Sequence, residues 1–400
     1  MFEIQFNYRA VKFMNPTYLR QIHASQIFHA LRAHPNISQR ELGVLTGCDK
    51  STVSVIIKRF ETMGLVERTQ GQPRGTRGRP QESLRISMSS GFLLGVHLEF
   101  EQLVLVLATL DGQPLDSWQG PLPVEPAALS PLLTEGIAAL MQGQPQPAAE
   151  IRSVGVCLPG LVKMGGGLVY SPNLDWRDVN MAELLAPHLS VPVQADNDTN
   201  AATLAEHLFG DCAGIDDFLL IQGGSGVGGG LFMDGRVYRG KSGFAGELGH
   251  QKVIANGRPC NCGAMGCLSA YLSPGVLVER AGYCAPGIAS LADVQAAADA
   301  GDREIQGLLD ESGGYVGLVL SNLINALNPP AVVLSGTLAQ LWPWLEPGVR
   351  RSLNENALPA MLSQVNIIIS RLSTASVPSG GVALALEGFT SLDASETLFG

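Results

Sequence analysis

One histidine and three cysteines lie close together in the chain, at a spacing that suits a metal ion. His250 is followed by Cys260, Cys262 and Cys267, with glycines in the loop between them. Three thiolates and one imidazole are the four N/S ligands that tetrahedral Zn²⁺ takes in a closed structural site. We therefore predict structural Zn²⁺ bound by these four residues. The alternative is a disulfide pair beside an unrelated histidine.

A glutamate just before this histidine gives the predicted metal site a second use. Glu247 lies three residues before His250. A metal fixes an imidazole through one ring nitrogen and leaves the other nitrogen free for a further contact. Glu247 and His250 are therefore candidates for binding a polar ligand such as a sugar.

A second group of polar residues follows a predicted strand. The strand over 191–195 ends at Asp196, Asn197 and Asp198, whose carboxylates and amide are of the kind that bind sugar hydroxyls. The plainer alternative is a helix N-cap, because a helix over 199–209 is predicted directly afterwards. Both interpretations stay open for Asp198.

A glycine-rich run extends from Gly223 to Gly230, after a predicted strand over 218–221. Backbone N–H groups in such a loop are able to line an anion, so the run is a candidate phosphate-binding loop. A tight hairpin explains it equally well. The run alone does not choose between the two.

From residue 86 onward the chain alternates between strands, helices and glycine turns. The pattern predicts strands over 93–96, 103–110, 151–158 and 332–334 and helices over 129–141, 290–300, 303–312 and 314–327. Such alternation indicates an α/β body of two lobes, with ligand residues where strand ends face a cleft.

Residues 1–85 differ from the rest of the chain in charge. They hold 13 Lys and Arg against 6 Asp and Glu, whereas the remaining residues hold 13 against 30. An acidic body repels nucleic acid. Any contact with DNA is therefore expected in the first fifth of the chain.

Three short helices are predicted in this basic segment. The first spans 24–33, the second begins at a capping box of Ser38 and Glu41, and the third is capped by Asp49 or Ser51. The tight turn before the third helix is typical of a helix-turn-helix whose last helix binds in the major groove. The exposed face of that helix offers the predicted DNA contacts Lys50, Ser51, Thr52, Ser54, Lys58 and Arg59.

The segment after the third helix predicts a wing. Strands over 65–68 and 83–86 flank a glycine-spaced run with Arg74, Arg77 and Arg79. A slim, extended arginine run fits the narrow minor groove of A·T-rich DNA. We therefore predict a winged helix-turn-helix that binds double-stranded DNA. The alternatives are a three-helix protein-interaction module and, for the arginine run, a solvated linker.

Length, composition and the N-terminal sequence favour a cytoplasmic protein of two or three domains. The chain has 400 residues and 46% hydrophobic content, which is enough for several cores. The charged N-terminus has no apolar stretch with a cleavage site, which argues against secretion. The longest apolar run, over 103–110, is far below the ~18 residues of a spanning helix, so we expect no membrane contact. Met14 is a second candidate for the start of the protein.

Together these motifs resemble the ROK family, and specifically its winged-helix repressor branch. The resemblance covers nearly the whole chain. Its most specific parts are Glu247-Leu-Gly-His250 with the three cysteines, the Asn197-Asp198 pair, and Leu158-Pro159-Gly160 followed by Ser171-Pro172-Asn173-Leu174.

The resemblance implies an α/β fold with an N-terminal winged helix-turn-helix and a two-lobed, actin-like body similar to that of ROK sugar kinases. We expect the DNA-binding domain over 1–85 and the first lobe over 86–195 and 375–400. The second lobe, with the zinc site and the helices that form a dimer, is expected over 196–374. The resemblance places a sugar between the lobes, bound by Asn197, Asp198, Glu247, His250 and Asn173.

The same resemblance bears on catalysis. ROK kinases carry Asp-x-Gly-Gly-Thr on the first hairpin of the body, where this chain has His97-Leu98-Glu99-Phe100-Glu101. No glycine remains and the glutamates repel a triphosphate, so we expect no kinase activity, although Asp198 matches the family's general base. Ser269 stands where the family usually has a sugar-binding glutamate. The ligand expected is therefore a different sugar, a sugar phosphate, or a sugar bound weakly.

These observations predict a repressor of carbohydrate genes that acts as a homodimer or a tetramer. Sugar binding is expected to close the lobes and to change the placement of the two DNA-binding domains. One alternative is a ROK sugar kinase with an added DNA-binding segment. The other is a repressor controlled by a protein partner, with no small ligand.

Overall fold

The N-terminal part of the chain folds as a winged helix-turn-helix, which confirms the predicted class. The computed structural model describes residues 16–70, 82–99, 101–144, 150–187 and 189–391. β1 and β2 pair antiparallel behind three helices. The elements of this helix-turn-helix module are α1 (Pro16–Ala33), α2 (Gln39–Thr46), α3 (Lys50–Thr62), β1 (Val66–Gln70) and β2 (Glu82–Ile86).

Side-chain caps fix where α2 and α3 begin. Ser38 and Glu41 form the predicted capping box, in which each side chain accepts a hydrogen bond from the backbone N–H of the other. Asp49, and not Ser51, caps α3. The buried apolar residues of α3 recur at helical spacing and pack against α1. They are Val53, Ile56, Ile57 and Phe60.

The body contains two five-stranded sheets with the same arrangement, an antiparallel meander of three strands continued by two parallel strands. This duplication is the predicted two-lobed, actin-like α/β fold. The first sheet holds, in spatial order, β10 (Val193–Asn197), β6 (Ile151–Leu158), β3 (Phe92–Glu99), β4 (Gln102–Thr109) and β5 (Pro114–Pro121). The second holds β13 (Arg236–Val237), β12 (Val227–Met233), β11 (Phe218–Gly223), β14 (Ala331–Gly336) and β15 (Asn366–Ile369).

A small third sheet and eleven helices complete the described part of the body. The small sheet consists of β7 (Leu161–Lys163), β8 (Gly167–Ser171) and β9 (Trp176–Asn180). The helices are α4 (Leu129–Gln142), α5 (Met181–Leu185), α6 (Asp198–Leu208), α7 (Ser269–Leu272), α8 (Pro274–Cys284), α9 (Leu291–Asp299), α10 (Arg303–Leu327), α11 (Thr337–Gln340), α12 (Trp342–Asn356), α13 (Pro359–Leu362) and α14 (Ser376–Thr390). Among the described residues, no helix combines the length and the apolar character needed to cross a membrane.

α10 corrects the prediction of two helices over 303–312 and 314–327, because the structure has one continuous helix there. Glycine is a weak helix former, which suggested a break at Gly313. The structure gives this glycine a packing role instead. A Cβ atom on Gly313 would lie 2.1 Å from the Leu345 carbonyl oxygen of α12. The glycine therefore lets two helix backbones approach closely.

The helix pair α6 and α14 connects the two large sheets. α6 leads from β10 to β11, and α14 follows β15 and returns to pack on the first sheet. The contacts are close, since a Cβ on Gly380 would lie 2.6 Å from the Ala201 carbonyl carbon. A Cβ on Gly155 would likewise lie 2.1 Å from the Gly381 carbonyl oxygen. Both crossings of the chain between the sheets thus pass through this helix pair.

The helix-turn-helix module packs directly on the ends of this pair. Phe28 of α1 meets Phe389 of α14 edge to face, with ring centroids 5.5 Å apart. Arg32 Nη1 donates to the Leu208 carbonyl at the end of α6, at 2.8 Å, and its guanidinium lies over the Phe209 ring. A single hydrophobic cluster extends from the module into the body. The module is therefore attached to both helices that join the lobes.

Candidate functional site

The four predicted zinc ligands form one compact cluster. The ligand atoms of His250, Cys260, Cys262 and Cys267 all lie within 4.8 Å of one another. The Sγ atoms of Cys262 and Cys267 are 3.7 Å apart, and Cys260 Sγ lies 3.6 Å from His250 Nδ1. With Zn–S of about 2.3 Å and Zn–N of about 2.0 Å, tetrahedral ligands lie about 3.8 Å (S to S) and about 3.5 Å (S to N) apart. The donor set and its spacing therefore suit zinc.

Two glycines with left-handed backbone shape the cysteine loop. Gly263 has φ of 85° and Gly266 has φ of 75°. A Cβ on Gly266 would lie only 1.7 Å from the Ile254 carbonyl oxygen. Cys260 N–H donates across the turn to the Ala264 carbonyl at 2.8 Å. Glycine is therefore required for the path that brings the cysteines together.

Lys252 supplies a cation at the cluster that was not among the predicted site residues. Lys252 Nζ lies 2.8 Å from Cys267 Sγ. Three thiolates around a dication leave one negative charge, which this ammonium offsets. A lysine two residues after a predicted ligand was the available signal. The disulfide alternative does not describe the structure, because all seven cysteines are free thiols.

The two ring nitrogens of His250 face different groups. Nδ1 faces the cysteines, whereas Nε2 lies 3.8 Å from Glu247 Oε2. The two side chains are 40% and 43% exposed, so both are open to a ligand. This arrangement is the one that the sugar-binding prediction for Glu247 and His250 requires.

Asn197 and Asp198 have different roles at the start of α6. Asn197 is the N-cap, because its Oδ1 accepts from Thr199 N–H at 2.9 Å and from Asn200 N–H at 3.2 Å. Its Nδ2 donates to the Gly160 carbonyl at 3.0 Å. Asn197 thus aligns the start of α6 with the loop after β6. Asp198 follows as the first residue of the helix, and its Oδ1 accepts from the backbone N–H and the hydroxyl of Thr199.

The carboxyl group of Asp198 holds its proton more tightly than an ordinary aspartate. Burial raises its pKa to about 6, the hydrogen bonds from Thr199 oppose that effect, and the charge of Glu99 adds to it. Glu99 is the last residue of β3. A carboxyl group that titrates near neutral pH is suited to accept a hydrogen bond from a ligand hydroxyl.

This raised pKa predicts a pH-dependent stability effect. The folded value of about 6 exceeds the ordinary 3.8, so ionised Asp198 destabilises the folded state above pH 6, and the cost disappears as the pH falls towards 4. Asp198→Asn removes the charge. We expect the variant to exceed the wild type by about 1–2 kcal/mol at pH 7.5, allowing for solvent screening, with the difference lost near pH 4. Urea unfolding at both pH values measures it, and a pH-independent difference would contradict this origin.

Two further side chains lie at the cleft between the lobes. Asn173 Nδ2, after β8, donates to Ser225 Oγ in the β11–β12 turn at 3.1 Å, so this predicted sugar contact bridges the two halves of the body. Ser269 Oγ donates to the Gly249 carbonyl at 2.9 Å. The Ser269 hydroxyl is therefore hydrogen-bonded to the backbone beside His250.

Asp196 holds the lobes together. Arg239 Nε, beyond β13, donates to Asp196 Oδ2 at 2.6 Å, and Arg239 Nη2 lies 3.6 Å from Glu387 of α14. Asn200 Nδ2 also donates to Asp196 Oδ1, at 3.1 Å. Asp196 is buried, and its oxygens bind protein donors. From the sequence alone, the roles of Asp196 and Asp198 could not be distinguished.

The glycine-rich run is a tight hairpin. β11 and β12 pair antiparallel up to Gly223 and Val227. A Cβ on Gly228 would lie 2.0 Å from Thr199 Oγ1, and one on Gly230 would lie 1.8 Å from Thr203 Oγ1. These two glycines therefore let β12 lie directly on α6. Packing explains them without a phosphate.

The first hairpin of the body contains no glycine turn. His97 is buried, and its Nδ1 has no hydrogen-bond partner among the described residues. Burial lowers the pKa of His97 to about 4, so the ring is neutral. Glu101 has a left-handed backbone with φ of 64°. His97, which the sequence comparison with the kinase motif predicted in place of an aspartate, is thus a neutral imidazole.

The predicted DNA contacts on α3 are mostly open to solvent. The exposed ones are Lys50, Ser51, Ser54 and Lys58, and the half-buried ones are Thr52 and Arg59. The hydroxyls of Ser51 and Thr52 both donate to the Asp49 carboxylate, and these bonds hold the pKa of Asp49 well below its usual range. The remaining predicted contacts, Arg74, Arg77 and Arg79, lie outside the described residues.

Comparison with known proteins defines the class. The ROK family model matches residues 93–387, and the MarR family model matches residues 20–78. The chain therefore belongs to the ROK family and carries a MarR-type winged helix, as the sequence motifs predicted.

Two of the similar proteins match more than nine-tenths of this chain, and a third matches about three-quarters of it. The xylose repressor of Bacillus spizizenii is 26% identical over 375 residues, covering 93% of this chain and 97% of that protein. The solved structure of a ROK family transcriptional regulator, a homolog of the E. coli MLC protein, is 25% identical with a TM-score of 0.82, covering 95% of this chain and 99% of that one. A glucokinase from Halalkalibacterium halodurans is 30% identical over 313 residues, covering 74% of this chain and 95% of that protein.

Proposed function

We propose that this protein is a sugar-responsive DNA-binding repressor. Similarity to the xylose repressor covers 93% of the chain, whereas similarity to the glucokinase covers 74%. The winged helix supplies a DNA-binding element, and the actin-like body supplies an interlobe cleft lined with acceptors for hydroxyl groups.

One observation carries this proposal. α6 begins with Asp198 at the candidate sugar site and ends at Leu208, where Arg32 of the helix-turn-helix module binds the last carbonyl. Its 11 residues span about 16 Å. The ligand site and the DNA-binding module thus contact opposite ends of one helix. A sugar that favours a different angle between the lobes moves this helix and the module with it.

Zn²⁺ is the ion that the cysteine cluster fits, with His250, Cys260, Cys262 and Cys267 as its ligands. When bound, it supplies structural support and no reaction. His250 would then present Nε2 beside Glu247 in a fixed orientation, which suits two neighbouring sugar hydroxyls.

The proposed DNA contacts are the six residues on α3 together with Arg74, Arg77 and Arg79. A helix in the major groove reads one half-site, so an operator with two half-sites calls for a homodimer. Kinase activity is not part of the proposal. The carboxylates of Glu99 and Glu101 at the first hairpin disfavour a triphosphate.

The test begins with DNA selection from a random double-stranded pool at low salt. We expect a pool sequence to bind with nanomolar affinity and a steep salt dependence. One pentose, hexose or sugar phosphate from a panel should weaken that binding about tenfold or more, measured by fluorescence anisotropy. Asp198→Asn should bind the same DNA normally and fail to respond. Absence of selected DNA, or ATP-dependent phosphorylation of a sugar, would refute the proposal.

A further inference from the structure

Val55 is an exposed apolar residue on α3, the helix predicted to bind in the major groove. All 13 residues of this helix are described, and Val55 is its only large apolar side chain that is exposed, with 62% of its surface open to solvent. The other apolar residues of α3, Val53, Ile56, Ile57 and Phe60, are buried. An exposed valine on this helix therefore calls for an explanation outside the folded core.

The position of Val55 is at the centre of the exposed face. An α-helix turns about 100° per residue, which places Val55 nearly opposite the middle of the buried stripe. Ser51, four residues earlier, and Lys58, three residues later, lie on the same line and are also exposed. A β-branched residue forms helix less readily than alanine and gains no packing here. Neither helix stability nor the core accounts for it.

The residues near Val55 determine which hydrogen-bonding groups the start of the helix presents to DNA. Ser51 and Thr52 donate their hydroxyl protons to Asp49. Their oxygens are left as acceptors, and the carboxylate adds further acceptors. Val55 is the next side chain on that face, and it offers methyl groups. In the major groove, the C5-methyl of thymine is the base feature that an apolar side chain recognises.

We propose that Val55 is a specificity-determining residue that contacts the C5-methyl group of one thymine in each operator half-site. This inference rests on the proposed DNA-binding function. It adds a contact that discriminates thymine from cytosine and from uracil at one position, and it requires no contact with phosphate.

The test uses the DNA selected for the full-length protein, with each thymine replaced singly by deoxyuridine, which lacks only the methyl group. For the wild type we expect about a fourfold loss of affinity at one position of each half-site, the effect of one buried methyl. Val55→Ala should lose about the same affinity on the parent DNA and nothing further at that deoxyuridine. Val44→Ala is the matched control. Val44 is a 79% exposed valine on α2, so this variant should keep the full deoxyuridine effect.

The outcomes separate this inference from the proposed function. Normal DNA binding with no sensitive thymine in the wild type overturns the Val55 contact and leaves the repressor proposal intact. A deoxyuridine effect that persists in Val55→Ala does the same, since another residue then reads the methyl. A protein that selects no DNA overturns both. A loss confined to assembly of the protein, seen by analytical ultracentrifugation of Val55→Ala, would assign Val55 to a protein contact instead.

Discussion

Replacing Cys262 by alanine is expected to release bound zinc and to lower the free energy of unfolding of the body by about 4 kcal/mol. In the loop from His250 to Cys267, Ile254 and Met265 are exposed, so we expect the folded path of the loop to depend on the shared ion. Three ligands remain in the variant, and a structural site needs four. Metal analysis of the purified protein and urea unfolding with and without a chelator measure both effects.

Cys284→Ala is the matched control for this experiment. Cys284 ends α8, outside the cluster, and its Sγ lies 3.6 Å from the Arg280 carbonyl. We expect this variant to keep one zinc ion per chain and to lose less than about 1 kcal/mol. A Cys262→Ala protein with full zinc content, or a wild-type protein that contains none, would show that the cluster is no zinc site.

Replacing Arg32 by alanine is expected to uncouple sugar binding from DNA binding. The variant loses the bond to the Leu208 carbonyl and the contact with the Phe209 ring. DNA affinity without sugar should stay within about threefold of the wild type, because the side chain faces the body. The decrease in DNA affinity that sugar causes should shrink about fivefold, which corresponds to ~1 kcal/mol of coupling free energy.

Arg20→Ala is the control for Arg32→Ala. Arg20 lies on the same helix and is exposed. Its replacement leaves the contact of Arg32 with the body in place. Anisotropy titrations with and without the sugar compare the two variants, and calorimetry checks that each still binds the sugar. If Arg32→Ala responds to the sugar as the wild type does, the end of α6 is not the route of coupling.

Local signals in the sequence were sufficient for much of the fold. The capping box of Ser38 and Glu41 and the strand at 151–158 appear in the structure as predicted, because hydrogen bonds between near neighbours and continuous apolar runs determine them. The predicted break in α10 was wrong because Gly313 is needed for the close packing of α12, which is distant in the chain. A sequence alone does not distinguish a glycine that ends a helix from a glycine that lets a neighbouring helix pack closely.

The site was predictable where residues act at fixed spacing. The His250, Cys260, Cys262 and Cys267 cluster is of this kind, because one loop carries all four predicted zinc ligands. The pairing of Asp196 with Arg239, 43 residues apart, has no such spacing. The contact of Arg32 with Leu208 was likewise not predictable, because the sequence of α1 alone indicates only an amphipathic helix. Long-range partners of single polar residues follow from the tertiary fold only.

The close approach of β12 to α6 has an evolutionary consequence. Because Thr199 and Thr203 occupy the space where side chains of Gly228 and Gly230 would stand, packing against α6 alone selects for these two glycines, whether or not a nucleotide binds. A glycine-rich stretch at this place is therefore not by itself evidence of a phosphotransferase.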